Sequence, residues 1–287
     1  MRFNKIVDTN SRKTAPGGRV NLYWSNTQIG IYYKSLRRTS KYSLPKALTP
    51  PVDANVISDY FNISGLEFGN WTSQEDRLNF LGSIALSLTD LYRITGIKNI
   101  GLDKKIGIAY GARGRGGAAA AHFEPGTFMI NLTKEWGAGS FAHEYGHALD
   151  YFFGLFIEPD KIRTSLTGGA SIAKPTKAEL KELKPGSMRY NAVKIIYDLT
   201  WDGVKKTRSR IRLEDKFSGD YWFRRTEIFA RAFEQYVHYK LIEKGIINRY
   251  LNKSKYEAES YIYPVEFKKV VPLFDRLLKQ IAIESKK

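Results

Sequence analysis

The 287-residue chain contains no cysteine, which excludes a disulfide framework, a thiolate nucleophile and any thiolate metal site. Histidine is almost as scarce, at four residues, so any metal must be held by imidazoles and carboxylates. No run of about 18 apolar residues occurs, and the opening MRFNKIVDTNSRKTAPGG lacks the apolar core of a signal peptide; neither a membrane span nor an export signal is expected. Acidic residues are also in deficit, 29 against 46 Lys and Arg, giving a formal charge of +17 and a pI near 9.7. That balance favours polyanions. Denser spots at KSLRRTSK (34–41) and KKTRSRIR (205–212) make nucleic acid a candidate partner through a basic surface, against the plainer reading of solvated basic faces.

What is present is enough apolar sequence to bury a full core. The stretch 1–62 reads as a basic N-terminal extension. Within it RVNLYW and QIGIYYKSL alternate around a polar SNT, as in a small hairpin, and LTPPVD (48–53) breaks regularity like a linker. Residues 63–287 read as the main domain. In WTSQEDRLNFLGSIALSLTDLYRITG, Leu78, Leu81, Ile84, Ala85, Leu88, Leu91 and Tyr92 recur at helical spacing, Thr72 with Glu75 makes a capping box, and Gly96 ends the helix. KIGIAYG, AAAAHFE and TFMINLT read as three strands joined by GARGRGG and an EPG turn. The simplest arrangement is a meander, hence a small, mainly antiparallel sheet.

GSFAHEYGHALDYF (139–152) follows. Ser140 is a good N-cap, Phe141, Tyr145, Ala148, Leu149 and Phe152 form an apolar face, and Gly154 is the expected terminator. Further helices are expected at TKAELKEL and MRYNAVKIIYDLTW. Another runs through RRTEIFARAFEQYVHYKLIEKG, with Ile228, Phe229, Ala232, Phe233, Tyr236 and Val237 buried and Gly245 as its stop, and a last one from about Pro264 to Ile283. The fold class is α+β: the small sheet packed on the helix of 141–152 and on further helices.

His143 and His147 are four apart, so on a helix both imidazoles leave one face and can reach a single Zn2+ at about 2.0–2.1 Å. Glu144, one step round, is placed to activate water as a catalytic base instead of ligating. With so few histidines the His-Glu-x-x-His pattern arises by chance in only about three such sequences in a thousand. A zinc site of this kind needs a third protein ligand. ALDYFFG after His147 excludes the extended motif with a third histidine, which leaves a carboxylate from a later helix. Glu227 is the best candidate because it opens a strongly apolar helix, where an unpaired charge is costly; Glu234 is the reserve, and pairing of Glu227 with Arg231 at i, i+4 is the plainer reading. His122 in AAAAHFEPG is a candidate hydrogen-bond donor to substrate, or an alternative ligand. Asp150 could orient His147 from behind. GARGRGG lacks the Lys-Ser/Thr ending of a phosphate loop and reads as a loop flanking substrate.

The succession LEFGNW (66–71), GARGRGG (111–117), AHFEPG (121–126), INLTK (130–134), GAGSFAHEYGHALDYF (137–152) and EIFARAFEQYV (227–237) resembles the large polyvalent-protein-associated domain of the first type. That family is zincin-like and occurs in phages and conjugative elements, often in long multidomain proteins thought to enter the host with DNA. The resemblance implies a mobile-element origin, a zincin-like metallopeptidase fold and a metal-dependent hydrolase acting on a peptide or protein. It places the protein in the host cytoplasm or packaged in a virion. It names no substrate.

Overall fold

The computed structural model of the chain describes residues 44–49, 52–113, 119–159, 164–253, 256 and 258–286. The hairpin and the basic spot expected before residue 44, and GARGRGG from position 114 onward, lie outside them. The described residues form eight α-helices and one four-stranded sheet, an α+β arrangement. They divide into two compact units, the described residues within 44–94, 98–144 and 241–253, and those within 95–97, 145–240 and 256–286. No helix among the described residues is long and apolar enough to cross a membrane.

The first unit opens with α1 (Ala54–Phe61), inside the stretch read as an extension. The side chain of Asp53 accepts from the Asn55 amide, and Asn62 closes the helix in the left-handed region at φ 55°. Strand β1 (Gly65–Phe68) leads to α2 (Gln74–Thr95). Its capping box falls one residue later than expected: the Ser73 amide donates to Asp76 at 2.7 Å and the Asp76 amide donates to Ser73 Oγ at 3.1 Å. Thr72 instead donates to the Gly69 carbonyl at 2.6 Å and accepts from the buried Arg77 at 3.0 Å. Burial selects this register, because it also places Asp76 2.8 Å from Lys134 in an almost fully enclosed ion pair.

Strands β2 (Gly107–Tyr110), β3 (Ala121–Glu124) and β4 (Met129–Leu132) join β1 in the order β1-β2-β4-β3. The expected meander is not formed. β1 with β2 and β2 with β4 are parallel, and only β3 with β4 is antiparallel. The EPG turn does make a hairpin of β3 and β4. β3 lies at the edge beyond β4, and β2 and β4 have the separation in sequence that a parallel pair requires. Burial agrees: β2 and β4 are buried throughout, as strands covered on both faces are, and β3 is half-exposed along its length. One face of the sheet carries Leu66, Phe68, Ile108, Tyr110, Ile130 and Leu132. Phe80 of α2 stacks on Tyr110 at 4.4 Å and meets Phe68 edge-on at 5.6 Å. Each such buried side chain contributes about 1.5–3 kcal/mol.

Helix α3 (Phe141–Phe152) continues without a break into a π-helical turn at Phe153–Ile157, so Gly154 does not terminate it. Glycine is needed there for proximity: a Cβ would lie 2.3–2.4 Å from the backbone of Ser165 and Leu166. The second unit continues with α4 (Lys177–Glu182), α5 (Met188–Thr200), α6 (Arg208–Lys216), α7 (Arg225–Glu243) and α8 (Pro264–Glu284). All six residues expected on the inner face of α7 are buried. Phe229 and Tyr236 there pack on Phe274 of α8 at 5.6 and 5.1 Å. Helix α6 comes from the second basic spot; Thr207 caps it and Ser209 and Leu213 hold it to the core.

Candidate metal centre

The first α-helical hydrogen bond of α3 runs from the Glu144 amide to the Ser140 carbonyl at 3.2 Å. His143 and His147 therefore sit one turn apart on one side of the helix. Between Glu144 and His147 lies Gly146, whose missing side chain lets α3 approach α7: a Cβ there would stand 3.1 Å from Phe233 and 3.3 Å from the Ala230 Cα. That close approach brings the first turn of α7 to His147, and Glu227 Oε1 lies 3.3 Å from His147 Nε2. One ligand atom each of His143, His147 and Glu227 falls within a 4.8 Å cluster, the only group of three or more such side chains suited to a metal among the described residues.

Two ligands about 2.0–2.1 Å from a tetrahedral ion stand roughly 3.4 Å apart. The 3.3 Å between His147 and Glu227 fits that spacing. Two imidazoles and one carboxylate form the borderline donor set that suits zinc and leaves one position open. Glu144, between the two histidines in sequence, is buried.

The surroundings fix these groups. Glu227 Oε2 faces Arg231 at 3.7 Å, and Arg231 donates to the Trp222 carbonyl at 2.6 Å. Burial pulls the Arg231 guanidinium below its ordinary pKa, with Glu227 opposing. The i, i+4 pair is thus present, and it holds the outer oxygen of Glu227 while the inner one faces His147. Asp150 is fully enclosed and accepts from the Thr167 amide at 2.9 Å and the Thr167 hydroxyl at 2.7 Å. Desolvation pushes it up to about 6, against those two bonds and the charges of His147 and Arg189. Both oxygens of Asp150 are thus held by Thr167. The segment bearing Thr167 is fastened from two sides. Arg189 donates to the Ser165 carbonyl at 2.6 Å, and Arg225 donates to the Ala173 carbonyl at 2.7 Å and pairs with Glu179 through both its terminal nitrogens. Sequence reading missed Thr167, Arg189 and Arg225. An acid three residues after a ligating histidine on a buried face is the one signal that calls for such a partner.

The other candidates lie elsewhere. His122 is on the edge strand β3, with Nε2 3.3 Å from Glu124 Oε1, and is not in the metal cluster. Glu234 accepts from the hydroxyls of Tyr256 at 3.0 Å and Tyr261 at 3.1 Å, and it too stands outside the cluster.

Fold and site together define an α+β protein with a His-His-carboxylate cluster of the kind that can hold a metal ion. Residues 213–284 match the large polyvalent protein-associated domain 1. The matched span runs from the end of α6 through α7 and α8. Of the motifs quoted above, EIFARAFEQYV and with it Glu227 lie inside the matched span; the histidine pair precedes it. No curated protein and no solved structure matches the chain.

Proposed function

We propose that the chain is a zinc-dependent peptidase of phage or mobile-element origin, with His143, His147 and Glu227 holding the metal. The observation that carries this reading is the placement of Glu227, remote in sequence, 3.3 Å from His147. When bound, zinc would supply Lewis-acid chemistry, polarising a carbonyl and acidifying water. Glu144 takes the proton from the attacking water and passes it to the leaving amine, so that water and amide become acid and amine. Arg231 and the Asp150–Thr167 pair hold the ligands in position throughout. Extended substrate would add to the sheet at β3. The central strand β4 is bonded on both sides and leaves no edge for substrate.

The test is elemental analysis of the purified protein together with Glu144→Gln. The variant should retain about one zinc per chain and lose hydrolysis of a denatured protein substrate. Hydrolysis by Glu144→Gln at the wild-type rate refutes the mechanism, and absence of stoichiometric metal refutes the site.

A second reading, nucleic-acid binding without hydrolysis, is favoured by the start of α6. There Arg208 and Arg212 lie over the Tyr263 ring at 5.1 and 3.8 Å, beside the exposed Lys205 and Lys206. It requires retardation of DNA or RNA that falls steeply with salt.

A further inference from the structure

The sheet face turned away from Phe80 is polar. Glu67, Ala109, Asn131 and His122 are consecutive partners across the four strands, so their side chains share that face, and Glu124 lies on it two residues from His122. Ala109 makes the floor low in the middle, and the two glutamates arise from the two edge strands, whose backbones are three ladder spacings of about 4.8 Å apart, with their carboxylates converging above the sheet. Arg113 spans them. Its Nε and one terminal nitrogen donate to Glu67 Oε2 at 3.2 and 3.0 Å, and the other donates to Glu124 Oε2 at 2.8 Å. Thr127 donates to the same Glu124 oxygen at 2.8 Å, and His122 faces the other. Two carboxylates thus face a single guanidinium.

On the same face, between Ala109 and His122, is Asn131, 2% exposed. Its Nδ2 is directed at the carbonyls of His122 and Met129, at 3.4 and 3.3 Å, which fixes the orientation of the amide. Its Oδ1 is buried and accepts no hydrogen bond. A buried acceptor left without a donor costs about 1–3 kcal/mol, and sites built to meet a ligand are where such a cost persists. Arg113 itself is about one-third exposed, at 34%, and can be replaced from solvent.

We propose that Glu67, Glu124 and Asn131 form a recognition site for the guanidinium or ammonium group of a basic peptide side chain, and that Arg113 occupies it as an internal substitute. The incoming cation takes over the carboxylate bonds of Arg113 and donates to Asn131 Oδ1. Basic side chains are thereby the chemistry that this face selects. The site lies entirely on the sheet and stands whether or not the metal centre hydrolyses peptides.

The probes are Nα-acetyl-arginine N-methylamide and its citrulline counterpart, which has the same shape and no charge, titrated calorimetrically into the full chain with chelator present. Removing the competing side chain with Arg113→Gln should tighten binding of the arginine amide by about tenfold or more, since an occupied site binds in proportion to its open fraction. Adding Glu67→Gln should abolish the gain. Equal binding of the citrulline amide, or no tightening in Arg113→Gln, overturns the proposal. If Arg113→Gln does not fold, Glu124→Gln decides, because unchanged affinity of that variant for the arginine amide is equally fatal.

Discussion

Gly146→Ala adds one methyl group at the point where α3 meets α7. On helix propensity alone the change should stabilise, because Ala is favoured over Gly within a helix by about 0.8–1.0 kcal/mol. The contact opposes it. The new Cβ would lie 3.1 Å from Phe233 Cδ1 and 3.3 Å from both Phe233 Cβ and the Ala230 Cα, against about 3.5–4.0 Å for comfortable carbon contacts. Two of those three atoms belong to the backbone of α7 or its first side-chain carbon and cannot rotate away, so the helix must recede by a few tenths of an ångström. Overpacking of this kind costs about 1–3 kcal/mol, leaving a net loss of about 1 kcal/mol, or roughly 2–4 °C in Tm for a unit of this size. Glu227 is three residues before Ala230 and His147 directly follows Gly146, so the same recession widens the 3.3 Å gap between the ligands. Zinc affinity, measured by competition with a chromogenic chelator, should fall about tenfold, as when a ligand's support is disturbed. A variant that melts higher than wild type in chelator and keeps its zinc affinity within a factor of two would refute the argument that glycine sets the spacing of the two helices.

Chelating the zinc-loaded protein should lower Tm, by the equivalent of about 2.7 kcal/mol when free zinc had stood at a hundred times Kd; Glu227→Ala should show no such drop by calorimetry. Thr167→Val removes the hydroxyl bond to Asp150 and keeps the amide bond, so urea denaturation should register a loss of about 1–3 kcal/mol, and a change within error contradicts the role given to that threonine. Asp76→Asn breaks the enclosed pair with Lys134 and should cost about 3–5 kcal/mol by the same method. Gly154→Ala forces a Cβ into the backbone of Ser165 and Leu166 and should cost about 3 kcal/mol, at the upper end of the overpacking range; stability equal to wild type would mean that the π-helical turn is not held as described.

The helices were legible where one apolar face repeats over several turns, because such a face has to be buried whatever its partner; this holds for all six residues read on α7 and for α2 except Leu78 and Tyr92, which are exposed. Glu227 was legible for the same reason: a carboxylate opening a helix with Phe229 and Phe233 behind it demands a counterpart. Sheet connectivity was not legible. Four-residue strands carry little register information, and nothing in KIGIAYG, AAAAHFE or TFMINLT distinguishes β3 from β4 as the neighbour of β2. The cap of α2 shifted by one residue because Thr72 and Ser73 are both competent, and a residue distant in sequence, Lys134, decided between them. Gly154 looked like a stop because a glycine after an apolar helix usually is one; its true neighbour, Ser165, belongs to a loop with no pattern to read. The arginines that tie down that loop resemble, in sequence, any other basic residues of a strongly basic chain.

The two histidines and the carboxylate of the triad are carried by separate stretches of chain, with Glu227 inside the matched span 213–284 and the histidines before it. A cut in the turn at 202–206, where Asp202 accepts from the Val204 and Lys205 amides, would leave one fragment with two donors and the other with one. Neither fragment alone presents the set. Tight zinc uptake would then serve as a reporter of reassembly, and recombination between related genes at such a point would have to carry over compatible halves of a metal site along with compatible helix faces.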